Sequence, residues 1–331
     1  MSTKPSRLIF LSAAFAASVL IGCSSGGPTS PNNQSGQSWT AVPSGTVMNI
    51  RAVWGTSAAN VWAVGIDFGG AVQHYDGNTW SKVQTNKNTV LLKAVWGSSA
   101  SDVWAVGDAQ TIIHFNGTGW SSMPVPDDIP SYASESLNGV WGSSPTDVWA
   151  VGGLGAPVVG SIARIFHFSG TAWSAVPLDA GVDFYDLNSV WGSSASDVWA
   201  VGRAGRILHY DGDHWSIVPS GTTETLLSVW GSSGSDVWAA GWAGTILHFN
   251  GQVWSKLTSG TTSTLRAVSG GGASDVWIVG SKSDGSGETL HYNGTGWAPI
   301  PNPSTQILFG VWASTSAGGW AVGDLGTILH T

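Results

Sequence analysis

Cysteine is nearly absent: Cys23 is the only one in 331 residues, so no intrachain disulfide can form. Charge is sparse, at 10% of residues, and basic charge is the scarcer kind, with 12 Lys and Arg against 20 Asp and Glu. A net charge of -8 argues against nucleic acid or an anionic lipid surface as partner. Glutamate occurs only as Glu135, Glu224 and Glu288, all read as loop or loop-edge residues. That leaves little for the convergent carboxylate pair of glycosidase chemistry. No helical periodicity follows residue 22, and no Gly-x-Ser-x-Gly lies on a strand-to-helix turn, so a nucleophile elbow has no scaffold.

What is plentiful is glycine, with 46 residues, and tryptophan, with 21. Leu187–Ser220 shows how they are used. It reads LNSVWGSSASDVWAVGRAGRILHYDGDHWSIVPS, four apolar runs separated by clusters of turn residues. Short runs rich in Val, Ile, Trp and Tyr between such clusters are strands, here a to d of an antiparallel meander. One unit cannot bury both faces of its sheet, and the chain repeats it. Strand a carries Trp54, Trp96, Trp141, Trp191, Trp230 and Trp312, with Ser269 standing in once; strand c carries His74, His114, His167, His209, His248, His291 and His330. Further tryptophans mark strands b and d, leaving only Trp242 outside the pattern. Ser38–Thr46 is a strand d with no strand a before it, and Leu308–Thr331 ends without a strand d. The expectation is an all-β, seven-bladed β-propeller of four-stranded antiparallel blades over residues 38–331, its last blade closed by the N-terminal strand.

These repeats are similar to those of secreted bacterial β-propellers whose blades carry SSxSDVWAVG, and they resemble tectonin-type repeats. They loosely resemble Asp-box propellers as well, in which Asp-Gly precedes a strand-opening Trp as Asp76-Gly77 and Trp80 do. The turn is one residue shorter than an Asp box and lacks its Ser/Thr, so the likeness implies shared turn geometry rather than shared activity. At the N-terminus, Lys4 and Arg7 precede an apolar run, Leu8–Ile21, that is too short for a convincing bilayer span. Leu20-Ile21-Gly22-Cys23 resembles the lipobox of bacterial lipoproteins. That resemblance implies a signal peptide over 1–22, lipidation of Cys23 and a flexible Ser/Gly/Pro/Asn tether over 23–37. With Ser24 following and no retention Asp, it also implies a cell-envelope location at the outer membrane or cell surface.

One histidine per blade, beside a repeated Trp and Asp (Asp102, Asp147, Asp197, Asp236, Asp275), reads as satisfying buried backbone groups within its blade rather than as a metal ligand. WD-repeat propellers, whose GH–WD pattern is absent here, use a comparable His-to-Asp network. No cofactor is expected. Asp284, Ser286 and Glu288 alternate oxygen ligands as a Ca²⁺ loop does, in a segment shorter than such a loop. Connection lengths are more telling. Strand a to b Trp spacing is eight residues in every unit and His to strand d Trp spacing is six, whereas b–c runs from 10 to 18 and d–a from 15 to 21. The variable connections share one face of the disc, and repeat folds place function on the face that takes insertions.

That face collects Asp127, Asp128, Tyr132, Glu135, Asp179, Asp183, Phe184 and Tyr185, an apolar loop Gly153–Ile162, and the b–c turn residues Asp108, Arg203, Trp242 and Asp324. Two residues before each strand-a Val stand Arg51, Lys93, Asn138, Asn188, Leu227, Arg266 and Phe309, variable among uniform neighbours and expected to ring the mouth of the central channel. The expected function is a lipid-anchored, monomeric binding or scaffold module recognising a protein or glycan of the cell envelope. The alternative is a glycan-active enzyme, glycosidase-like or lyase-like, using carboxylates of the long acidic loops.

Overall fold

The computed structural model describes Met1 and residues 38–66, 72–85, 91–126, 134–156, 160–179, 181–182, 185–315 and 318–331. The expected signal peptide beyond Met1, the tether, Cys23, Asp127, Asp128, Tyr132, Asp183 and Phe184 lie outside the described residues. From Thr40 to His330 the chain forms seven four-stranded antiparallel blades arranged as a β-propeller. Blade 1 comprises Asn49–Ser57, Asn60–Ile66, Val72–Tyr75 and Trp80–Val83 as strands a to d, and blades 2 to 6 repeat that order. Blade 7 takes Leu308–Ser314, Gly318–Gly323 and Ile328–His330 from the C-terminus and Thr40–Ala41 from the N-terminus, with Thr40 opposite His330.

Strand b, typically Asp-Val-Trp-Ala-Val-Gly, is buried at every position after its Asp. It is flanked by strands a and c within its sheet and by neighbouring blades on both faces, so its residues run apolar instead of alternating. Its tryptophan meets the strand-d tryptophan of the next blade edge to face: Trp62 against Trp120 at 5.4 Å and 78°. The same contact recurs at every blade junction, from Trp104–Trp173 to Trp320–Trp80, and Trp277 finds Trp39 at 5.2 Å and 81°. Trp39 therefore supplies to blade 7 what Trp80 supplies to blade 1. Such pairs contribute about 0.5–1.5 kcal/mol each beyond the area they bury.

The strand-a tryptophan reaches the next blade too. The ring edge of Trp191 lies over Gly231, where a Cβ would stand 2.6 Å from it, and the contact repeats at five further blades. Where strand a carries Ser269 instead, the following blade carries Ala313, whose N–H donates to Ser269 Oγ at 3.2 Å. The large and small residues exchange places together.

In blades 2 to 6 the partner of the histidine is the side chain of the strand-b Asp. In each, Nε2 lies 2.6–2.7 Å from the Asp carboxylate of strand b, as in His114–Asp102 and His209–Asp197. The imidazole also stacks on the strand-b indole, Trp104–His114 at 4.0 Å. The hydrogen bond with His291 holds Asp275 below the ordinary carboxylate range. Burial pushes Asp197 up, but bonds with His209 and Ser193 more than reverse it. A folded-state pKa below the unfolded one stabilises the fold fully above about pH 4 and ceases to do so as pH falls through the depressed value. Melting temperature should therefore fall on acidification below pH ~4, and the Asp197→Asn, Asp275→Asn double variant should lose less over that window. An equally steep acid loss in the double variant would exclude these pairs as the cause.

One expectation needs correction and another narrows. Gly153–Ile162 is not a free loop: Asp147–Ala156 and Gly160–Phe168 pair as far out as Ala156 opposite Gly160, so blade 3 carries an extended b–c hairpin. Of the loop or loop-edge alternatives for Glu135 and Glu288, the loop is excluded and the edge remains. Each sits in a strand, 3% and 6% exposed, with its carboxylate bonded within the protein.

Candidate functional site at the channel mouth

Each strand a begins with a β-bulge. In blade 2, Leu92 pairs with Gly107 and Ala94 with Val106, so Lys93 is the extra residue with no partner of its own. The same skip isolates Arg51, Asn138, Asn188, Leu227, Arg266 and Phe309. A bulge releases one side chain from the ladder and re-aims it, which is why this position varies while its neighbours do not. The strand-b glycine opposite makes the bulge possible: at Gly107 a Cβ would stand 2.0 Å from the Leu91 carbonyl oxygen. All seven bulge residues, with Leu91, line one open cavity of about 360 Å³. It continues into a narrower space of about 190 Å³ lined by the next residues of the same strands. Larger open grooves of about 850 and 760 Å³ follow the outer strands of blades 5 and 7, beside Lys256–Thr262 and Ser44–Val47. Their recurrence on equivalent strands makes them a property of the repeat's outer edge, and the channel mouth is the stronger candidate.

The mouth has two unlike halves. On one side Lys93 Nζ lies 2.8 Å from Asp108 Oδ1 and donates to Ser136 Oγ and, at 3.1 Å, to Asn138 Oδ1. Burial pushes the Asp108 carboxyl up, but Lys93 and Ser136 hold it below its usual range. Asn138 and Asn188 donate through Nδ2 to the carbonyls of Leu187 and Leu226, at 2.9 and 2.7 Å, clasping the following blade. The charge of Lys93 is thus matched locally by Asp108, which sets it apart from Arg51 and Arg266, the other two cations at the bulge positions.

On the other side, blades 6, 7 and 1 bring Arg266, Phe309 and Arg51 together. The Arg51 guanidinium carbon lies 3.9 Å from the Phe309 ring centroid and that of Arg266 lies 5.2 Å from it. Burial lowers the pKa of both arginines; Arg51 lowers Arg266 further, and Asp324 partly restores each. Arg266 Nε reaches Ser281 Oγ at 3.4 Å, and Arg51 Nε is buried with no partner among the described residues.

The b–c turn candidates surround this mouth. Arg203, Trp242 and Asp324 each open a short 3-10 turn whose middle residue is left-handed: Ala204 at φ 54°, Ala243 at 51° and Leu325 at 50°. The Trp242 turn packs on strand a of blade 6 and the Asp324 turn on strand a of blade 1, so they flank Arg266 and Arg51. Trp242 is 50% exposed and Leu325 62%. Arg203 Nη1 lies 3.8 Å from Asp186 and Tyr185 lies under Arg206 at 5.7 Å, both away from the two arginines of the mouth. Sequence reasoning missed the buried pair in which Glu135 accepts from Arg164 Nε at 3.2 Å and from Gln110 of the neighbouring blade. Glu288 accepts from Ser263 and Thr261, whereas Asp284 accepts from Ser286, so these two carboxylates serve different partners.

No family model and no curated protein matches this sequence. Solved structures do match along most of its length. YCF48 bound to D1 peptide shares 17% identity at a TM-score of 0.65, over 89% of this chain and 96% of that one. Virginiamycin B lyase from Staphylococcus aureus shares 11% at 0.68, over 88% and 98%. The WD40 repeats of RRP9 share 8% at 0.66, over 88% and 96%. All three share its β-propeller fold.

Proposed function

We propose that this chain is a binding or scaffold propeller of the cell envelope, lipid-anchored through Cys23, that recognises a protein or glycan through the face bearing the b–c and d–a connections. The observation that carries the reading is the asymmetry between the two faces. The c–d turns repeat one design, an Asp or Asn accepting from the backbone N–H groups two and three residues on, as at Asp76, Asn116, Asp211, Asn250 and Asn293. The opposite face carries the bulge side chains, the extended hairpin of blade 3 and half-exposed Trp242. A propeller solved with a bound peptide supports a protein ligand by analogy of fold. The test is purification of the full chain in detergent under mild conditions and identification of what accompanies it. Substitutions at Trp242 and in the blade 3 hairpin should release that material, and its retention in all of them would refute the assignment of the face.

The anchor has its own test. Cys23→Ser should move the protein from the membrane fraction to the soluble fraction, since no other hydrophobic attachment is expected in residues 23–37. A Ser variant that still sediments with membranes after a salt wash would exclude the lipid anchor.

A further inference from the structure

We propose that Arg51, Phe309 and Arg266 form a carboxylate-binding site at the channel mouth, taking a ligand that carries one carboxylate beside an apolar group. The proposal rests on the reading of this face as the binding face and names the chemistry it recognises. Two guanidiniums converge on one phenyl ring from adjacent blades, and a cation over an aromatic face is held by the ring quadrupole. The ring orients both cations but does not neutralise them. Among the described residues, neither arginine has a carboxylate within 4 Å, although Lys93 across the mouth has Asp108 at 2.8 Å. Asp324 acts on the pair from farther off. Two like charges partly withdrawn from water and lacking a counter-ion repel each other, and an anion placed between them removes that cost.

A carboxylate suits the geometry because each guanidinium presents a planar fork of donors, and Arg51 Nε is still without an acceptor. The cavity also supplies apolar surface, Leu91 and Leu227, next to the cations. It supplies an acceptor as well: Asn188 donates through Nδ2 to Leu226, and its Oδ1, which has no partner among the described residues, can accept an N–H of the ligand. A carboxylate, an apolar side group and an amide N–H on one small skeleton describe an N-acylated amino acid, the chemistry found at the end of a peptide. Phosphate matches the charge but not the apolar and acceptor positions.

N-acetyl-leucine is the probe, with N-acetyl-leucinamide and inorganic phosphate as comparators, each titrated calorimetrically into the full chain. Saturable binding of the acid is expected, at least tenfold tighter than either comparator. Arg51→Gln and Arg266→Gln should each weaken it about tenfold or more. Phe309→Leu, which keeps both charges but removes the ring that orients them, should weaken it by less. Equal binding of the amide or of phosphate overturns the carboxylate assignment, and so does undiminished binding in the arginine variants with melting temperature unchanged. No binding of the acid, while envelope material released by Trp242 substitution still co-purifies, would sink this site and leave the face assignment standing.

Discussion

Removing Ser38–Thr46 should lower the melting temperature of the entire propeller by roughly 10 °C or more, not merely fray one end. The segment supplies the outer strand of blade 7 and Trp39, which is 4% exposed and edge-on to Trp277. Loss of a buried tryptophan alone costs about 3–5 kcal/mol, and each kcal/mol shifts the melting point of a domain this large by about 2–4 °C. The deletion also uncovers Ile328 and Leu329, each 1% exposed, along an open strand edge. Near-UV circular dichroism of the deletion variant reads the effect directly. A synthetic Ser38–Thr46 peptide added in excess should restore part of it. An unchanged melting temperature would refute closure by the first strand.

The second large effect is steric. Gly231→Ala places a methyl group 2.6 Å from the Trp191 ring and 2.8 Å from the Asp236 carbonyl, and should destabilise by about 1–3 kcal/mol. Trp191→Ser removes the ring and should itself cost about 3 kcal/mol. Combined, they imitate the Ser269–Ala313 junction and should cost less than their sum by about 1–2 kcal/mol. The rescue is partial because the carbonyl contact remains. A strictly additive cycle, read from denaturant midpoints, would show that the ring is not what forbids a side chain at Gly231.

The blade count, the strand order and the closing strand were all legible in the sequence, because each is set by periodic tryptophans and by turn residues whose conformations are local. The site was half legible. Variation at Arg51, Lys93, Arg266 and Phe309 among uniform neighbours pointed to the channel mouth, and the structure places all seven such residues there. The bulge that puts them there had a signal too, in the glycine that ends each strand b, since a side chain at Gly107 would strike the backbone of strand a. Partners distant in sequence were not legible. The bond between Lys93 and Ser136 spans 43 residues, and Glu135 meets Gln110 from a neighbouring blade, so nothing local announces either contact. Glu135 and Glu288, read as loop or loop-edge residues, stand at the edges of strands that extend beyond the common repeat, to Ser134 and Gly287, in the two blades with the longest b–c connections.

The pairing of Thr40 with His330 fixes an order of events. Thr40 Oγ1 donates to a carbonyl 290 residues away, so during synthesis the first strand has no partner until His330 has emerged. Bringing such distant ends together costs about 5 kcal/mol in the length-dependent part of loop-closure entropy alone. Until then blade 6 lacks the indole of Trp39 against Trp277, and blade 7 has no outer strand. A nascent chain is therefore an open arc with a sticky edge at its growing end, exposed to mispairing with other copies. The ring can close only after Ile328–His330 has been made, and without that strand Thr40–Ala41 has no seam to lock.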